Sequence, residues 1–265
     1  MSPPIKLIST DFDGTLFAEF ESPPIPKSIV KLIADMQARG TKWAINTGRD
    51  MASLMEALAR SRISIQPDYL VLVEREIYFH DGVRYLALPE WNEACACDHA
   101  ALFARVRPQV PALMDWVNAR FRATVYEDAH SPFCLIASNN GDADAIHEHL
   151  NAFCRDVPDL TVVRNDVYAR FCHAAYDKGS ALAEICRQLD VTTEEVFAAG
   201  DHLNDLPMLS TTRARWLAAP ANAVAPVKEA IRRQGGFVSD RTCGEGVAEG
   251  LRHWLAVAGR PAPVS

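Results

Sequence analysis

Ile5-Lys6-Leu7-Ile8-Ser9-Thr10-Asp11-Phe12-Asp13-Gly14-Thr15-Leu16 is an apolar run that stops on two acids and a glycine. Such a run reads as a buried strand ending in a turn. Pro26 then starts a helical stretch with Ile29, Leu32, Ile33 and Met36 on one face, and Gly40 closes it. A second strand is predicted over Lys42–Asn46, a helix over Met51–Leu58 and a third strand over Tyr69–Val73. Strand and helix alternating at this spacing predict a parallel sheet with crossover helices.

The rhythm changes after Val73. Ile77–Phe79 and Val83–Leu86 flank His80-Asp81-Gly82 and read as a hairpin with an Asp-Gly turn. Helices are predicted over 98–120 and 142–154, and strands over 123–126, 133–137, 160–163 and 167–172. Paired strands interleaved with helices predict an α+β insert with an antiparallel sheet. The parallel pattern resumes with a helix over 178–189 and a strand over 195–199 that ends in Gly200-Asp201. A short helix from Leu206 to Leu209, strands over 215–219 and 236–238 and a helix over 246–258 follow, and the tail from Gly259 to Pro263 is expected to fray. The expected fold class is α/β: a Rossmann-like parallel sheet core over 1–79 and 173–265 with an inserted α+β cap domain over 80–172.

With 265 residues, 49% of them hydrophobic, the chain is long enough for a core and a smaller companion. Its net charge of -7 argues against an electrostatic grip on a nucleic-acid backbone. It does not exclude small phosphate esters, because a local site with a metal can reverse the local field. No apolar run reaches the length of a bilayer span, and the N-terminal residues lack the pattern of a secretory signal. The seven cysteines are scattered without a Cys-x-x-Cys pair, which fits reduced thiols in a cytoplasmic protein. Cys95, Cys97 and His99 could be read as zinc ligands, but they have no second half at metal-ligand spacing, so ordinary packing is the preferred reading.

Ligands of open parallel sheets bind beyond the carboxyl ends of the strands. Four polar groups fall there or at an adjoining helix start: Asp11-Phe12-Asp13-Gly14-Thr15-Leu16, Thr47-Gly48-Arg49, Lys178, and Gly200-Asp201-His202-Leu203-Asn204-Asp205. Asp11, Asp13 and Asp201 converging on one point would repel unless a hard cation lay between them. Mg2+ fits, since it takes oxygen ligands and keeps waters for a substrate phosphate. Thr47 and Gly48, read as a helix start, offer free N–H groups to an anion, and Lys178 offers a point charge. Taken singly, each is weak: acids are common at turns and caps, and Asp201 and Asp205 alone could cap a helix. The order of all four is the stronger signal.

These residues resemble the four motifs of the haloacid dehalogenase superfamily. Asp11–Leu16 is similar to its DxDGTL signature, Thr47 to the second motif, Lys178 to the third and Gly200–Asp205 to the GDxxND fourth. An insert between the second and third motifs is similar to the type II cap of the sucrose-phosphatase-like and Cof-like phosphatases. The resemblance implies a Mg2+-dependent phosphomonoester hydrolase acting on a small metabolite, with a sugar phosphate expected from analogy. It implies Asp11 as nucleophile, forming an aspartyl-phosphate, and Asp13 as general acid and then base. Thr47 and Lys178 complete the catalytic set, and Thr47, Gly48, Arg49, Lys178 and Asn204 the phosphate-binding set. Asp11, Asp13 through its backbone carbonyl, Asp201 and Asp205 form the metal set, with Asn204 and Asp205 in support. For Arg49 a salt bridge competes with a phosphate contact. A phosphomutase and a non-catalytic phosphometabolite-binding protein are the alternatives. The partner is a small-molecule phosphate ester, with no nucleic acid or membrane, and the protein a monomer or homodimer.

One stretch departs from the pattern. Many relatives carry Asn-Gly after the third strand, where this chain has Glu74-Arg75-Glu76. A solvated charged run is the first reading, and substrate selection by Arg75 or Glu74 the second. In the cap, Glu127, His130, Asn139 and Arg170 are candidate leaving-group contacts, and Trp91 and Trp116 candidate stacking surfaces. Ordinary surface or packing roles are preferred for all six.

Overall fold

The computed structural model describes residues 3–258, so the tail from Gly259 lies outside the described residues. Two compact units are present, one comprising the chain through Leu88 and from Lys178 onward, the other Pro89–Asp177. The first begins with β1 (Leu7–Thr10), α1 (Lys27–Gln37), β2 (Lys42–Asn46), α2 (Met51–Ser61), β3 (Tyr69–Leu72), β4 (Glu76–His80) and β5 (Tyr85–Ala87). The second holds α3 (Pro89–Val106), α4 (Val110–Asn118), β6 (Ala123–Tyr126), β7 (Cys134–Ala137), α5 (Asn140–Arg155), β8 (Leu160–Asn165) and β9 (Tyr168–His173). The first unit then resumes with α6 (Lys178–Leu189), β10 (Val196–Ala199), β11 (Trp216–Ala219), α7 (Ala225–Arg233), β12 (Phe237–Val238) and α8 (Cys243–Ala258).

The first unit is built on an eight-stranded sheet in the order β12-β11-β10-β1-β2-β3-β4-β5. It is parallel from β12 to β3, and β4 and β5 add antiparallel to its edge. The central strands β1 and β10 are buried along their whole length, as strands of a parallel sheet covered on both faces are. Ile29, Ile33 and Met36 lie one turn apart on α1 and are buried with Val247 and Leu251 of α8 and with Trp43 of β2. Each such side chain contributes about 1.5–3 kcal/mol by leaving water.

The second unit has a four-stranded antiparallel sheet, β6-β7-β9-β8. Its own core includes Leu102, Val117, Phe133, Ile146, Leu150 and Phe171.

Three expectations need correction. The hairpin around Asp81-Gly82 pairs with β3 and so stays with the parallel sheet, and the compact units exchange at Leu88 and Asp177 rather than at 80 and 172. The helix expected over 98–120 is two helices with a 3-10 turn at Arg107–Gln109, where Pro108 lacks a backbone N–H. The helix expected from Leu206 is instead a 3-10 turn over Leu203–Asp205. Its tightness follows from Asp205, whose side chain accepts the backbone N–H groups of Asp201 and His202 at 2.8 and 2.9 Å.

Candidate active site

Strands β10, β1 and β2 are neighbours, and the register pairs Thr10 with both Ala199 and Ile45. Their carboxyl ends therefore finish level, and the Asp11, Thr47 and Asp201 loops emerge side by side. The Asp11 N–H donates to the Ala199 carbonyl at 2.9 Å, and the Thr47 N–H to that of Val71 at 2.9 Å. Lys178 is the first residue of α6, whose start is held by Asn46 Nδ2 donating to the Lys178 carbonyl at 2.8 Å. Thr47 and Gly48 lie in a loop before α2, not in its first turn. Asp50 caps that helix by accepting the Ser53 N–H.

The Lys178 ammonium is fully buried and donates at 2.6 Å to Asp11 Oδ1 and at 2.6 Å to Asp205 Oδ1. Asp11, Asp201 and Asp205 each place a carboxylate oxygen within 4.8 Å of the others'. Thr15 fixes Asp201 by donating its hydroxyl to Oδ1 at 2.6 Å. Gly14, at φ +74°, passes so close that a Cβ there would stand 2.5 Å from Asp201 Oδ2. The motif glycine is thus required twice over, by its backbone angle and by the carboxylate beside it.

One ammonium cannot offset three carboxylates. Burial, and then Asp205, push the Asp11 carboxyl well above the usual range. Burial and Asp205 likewise push Asp201 up to about 7. Burial alone would lower Lys178, but the Asp11 and Asp205 charges outweigh it and hold the ammonium firmly protonated. The protein by itself thus favours keeping a proton among these acids, and a cation would let them ionise.

A hard divalent ion suits this donor set. All three side chains offer oxygen, Gly14 leaves room for Asp201, and the carbonyl oxygen of Asn204, in the same turn as Asp205, is buried without a hydrogen-bond partner. No other group of three such ligands occurs among the described residues, so Cys95, Cys97 and His99 form no metal cluster. His99 is instead buried, with Nδ1 against the Cys95 carbonyl and Nε2 accepting the His173 N–H.

Asp13 does not join the acidic cluster with its side chain. Arg49 grips it through two bonds of 2.7 Å, Nε to Oδ2 and Nη2 to Oδ1. The same guanidinium donates through Nη1 to the Ser53 carbonyl and hydroxyl, and lies over the rings of Phe12 and Phe17. Arg49 thus makes a salt bridge, to Asp13 of the neighbouring loop. The run Glu74-Arg75-Glu76 is not solvated, contrary to the first expectation. Glu74 and Arg75 are each 4% exposed, and Glu74 Oε1 accepts the amide of Asn204 at 2.7 Å.

In the second unit, Glu127 pairs with Arg107 and Asn139 caps α5. Trp116 stacks on His149 and Trp91 packs edge-on against Tyr176. The roles of Thr15, Asn46 and Ser53 were not read from the sequence, although all three sit in or beside the motifs.

Residues 119–251, half of the chain, match the model of the haloacid dehalogenase-like hydrolases. The chain is 23% identical over 262 residues to the Bacillus subtilis 5-amino-6-(5-phospho-D-ribitylamino)uracil phosphatase, covering 95% of this chain and 96% of that one. It is 26% identical over 259 residues to the mannosylfructose-phosphate phosphatase of Agrobacterium fabrum, covering 95% and 97%. Its fold is similar to that of the sucrose-phosphatase of Synechocystis, with a TM-score of 0.71 at 16% identity over 95% of this chain and 98% of that one. Three acids and a buried ammonium thus meet beside the ends of adjacent parallel strands, an antiparallel unit is inserted between motifs, and the curated relatives are phosphatases: the chain is an enzyme of the haloacid dehalogenase-like hydrolase family.

Proposed function

We propose that the protein is a Mg2+-dependent phosphatase that removes phosphate from a small metabolite, a sugar phosphate or similar polar ester, through a phosphoryl group carried on Asp11. The observation that carries this reading is the Asp11 carboxylate, held by the Lys178 ammonium at 2.6 Å within a three-acid cluster. The two relatives reported above are named for phosphate esters of polyhydroxylated compounds, which supports the substrate class.

Asp11, fixed on Lys178 through Oδ1, attacks phosphorus with a carboxylate oxygen. The bond from phosphorus to the ester oxygen breaks, and that oxygen takes its electron pair and a proton from Asp13. Asp13 then accepts a proton from water as the water oxygen attacks phosphorus. The bond to Asp11 breaks, phosphate leaves and both acids regain their starting state. Thr47 and Lys178 bind phosphoryl oxygens, and Gly48 contributes from its loop. Mg2+, held by Asp11, Asp201 and the Asp13 carbonyl with Asp205 and Asn204 in support, would supply charge neutralisation for the approach of one anion to another.

The test is release of inorganic phosphate across a panel of sugar phosphates, with and without chelator. Activity that needs added Mg2+ and vanishes in Asp11→Asn is the expected result. Turnover by Asp11→Asn at the wild-type rate would rule out the nucleophile. Isomer interconversion without phosphate release would point to a mutase.

A further inference from the structure

We infer that Glu74 is a positioning residue for the metal-holding turn, acting through Asn204; the inference rests on the metal reading above. Glu74 is a buried carboxylate on a loop left-handed at two successive non-glycine residues, Val73 (φ 46°) and Glu74 (φ 69°). β-branched residues such as Val73 rarely adopt that conformation, so surrounding bonds must hold it. They are present: the Val73 N–H donates to the Arg49 carbonyl at 3.0 Å and the Glu74 N–H to that of Thr47 at 2.9 Å. The loop is thereby strapped to the Thr47 segment, and its side chain reaches the Asp201–Asp205 turn.

There, Asn204 Nδ2 donates to Glu74 Oε1 at 2.7 Å. A carboxylate accepts and does not donate, so this bond decides which way the Asn204 amide faces. The nitrogen is committed to Glu74, and the oxygen is left buried with no hydrogen-bond partner. A buried carbonyl oxygen without a donor calls for a ligand, and a hard cation or its bound water supplies one. Without Glu74 the amide is free to turn over and present N–H groups, which repel a cation. Side chains that orient ligands in this way set metal affinity by roughly ten- to a hundredfold. The Glu74 charge also bears on the Lys178 ammonium, joining that of Asp11 and Asp205.

The test is Mg2+ binding to the substrate-free protein by titration calorimetry, for wild type, Glu74→Ala, Glu74→Gln, Asn204→Ala and the Glu74→Ala/Asn204→Ala pair. Glu74→Ala and Asn204→Ala are each expected to weaken binding by roughly ten- to a hundredfold. Glu74→Gln, whose side-chain carbonyl still accepts the amide, should retain most of the affinity and the fold. The double variant should bind no more weakly than Asn204→Ala alone, because the two residues act as one unit. Losses that add in the double variant, or wild-type affinity in Glu74→Ala, would overturn the inference. Asp201→Ala separates the two levels: if it binds Mg2+ normally, or if the wild type binds none, the metal reading itself falls and this inference with it.

Discussion

Replacing Lys178 with Met should expose how much of this fold depends on one charge. Its ammonium is fully buried, with two carboxylate oxygens at 2.6 Å. At an effective dielectric near 20, each contact corresponds to roughly 6 kcal/mol of attraction, largely offset by the cost of dehydrating the ions. Removing one partner leaves the others buried and uncompensated, which typically costs about 3–5 kcal/mol. With a slope near 3 kcal/mol per molar urea, the unfolding midpoint should fall by roughly 1–1.7 M. The loss should also depend on pH. Asp11 is already held above its ordinary value by burial and Asp205, and without Lys178 the opposing pull disappears. An acid raised in the folded state keeps its proton where the unfolded chain has lost it, so stability falls as pH rises through that window. Lys178 is raised instead, so its own stabilisation in the wild type is complete below the ordinary lysine range and adds no slope between pH 5 and 8. The variant should therefore lie closer to wild type at pH 5 than at pH 8, and Mg2+ should recover part of the deficit at pH 8. Urea unfolding followed by tryptophan fluorescence at both pH values measures this. A deficit below about 1 kcal/mol at pH 8, or equal deficits at the two pH values, would refute the charge accounting.

Asp201 is pushed up to about 7 by burial and Asp205, so metal-free protein should lose stability as pH rises from about 4 to 7. Asp201→Asn should remove that slope and exceed wild type in metal-free thermal stability at pH 8, while losing the stabilisation by Mg2+; an unchanged slope would be contrary. Arg49→Met should lower kcat on poor leaving groups by roughly 10- to 100-fold with little change in KM, because it frees Asp13 rather than a phosphate. Guanidinium in the buffer should restore part of the rate, whereas a raised KM at constant kcat would assign Arg49 to the phosphate after all. Gly14→Ala places a Cβ 2.5 Å from Asp201 Oδ2 at φ +74°, so it should cost about 1–2 kcal/mol and weaken Mg2+ stabilisation in a thermal shift assay. Wild-type behaviour would mean that Asp201 has room to move.

What the sequence could and could not reveal follows from the range of the interactions. Each motif is a local event: an apolar run, a turn and a polar group at the turn. Asp11, Thr47, Lys178 and Asp201 were therefore legible as residues at strand ends or a helix start. The meeting of Asp11, Lys178 and Asp201 depends on β10 lying beside β1, a pairing of segments far apart in the chain. The hairpin at Asp81-Gly82 was read correctly as a hairpin, but nothing local says which edge it joins. Burial is the quantity that composition hides best. Glu74-Arg75-Glu76 has the composition of a solvated run, yet Glu74 and Arg75 are enclosed, because the end of β3 is folded against the Thr47 segment. Arg49 illustrates the same limit. Its spacing fitted either a phosphate or a carboxylate, and the choice fell to Asp13, whose loop leaves the neighbouring strand beside it. Which side chains a given charge meets is decided by strand order, and in this fold Arg49 meets Asp13 and Glu74 meets Asn204.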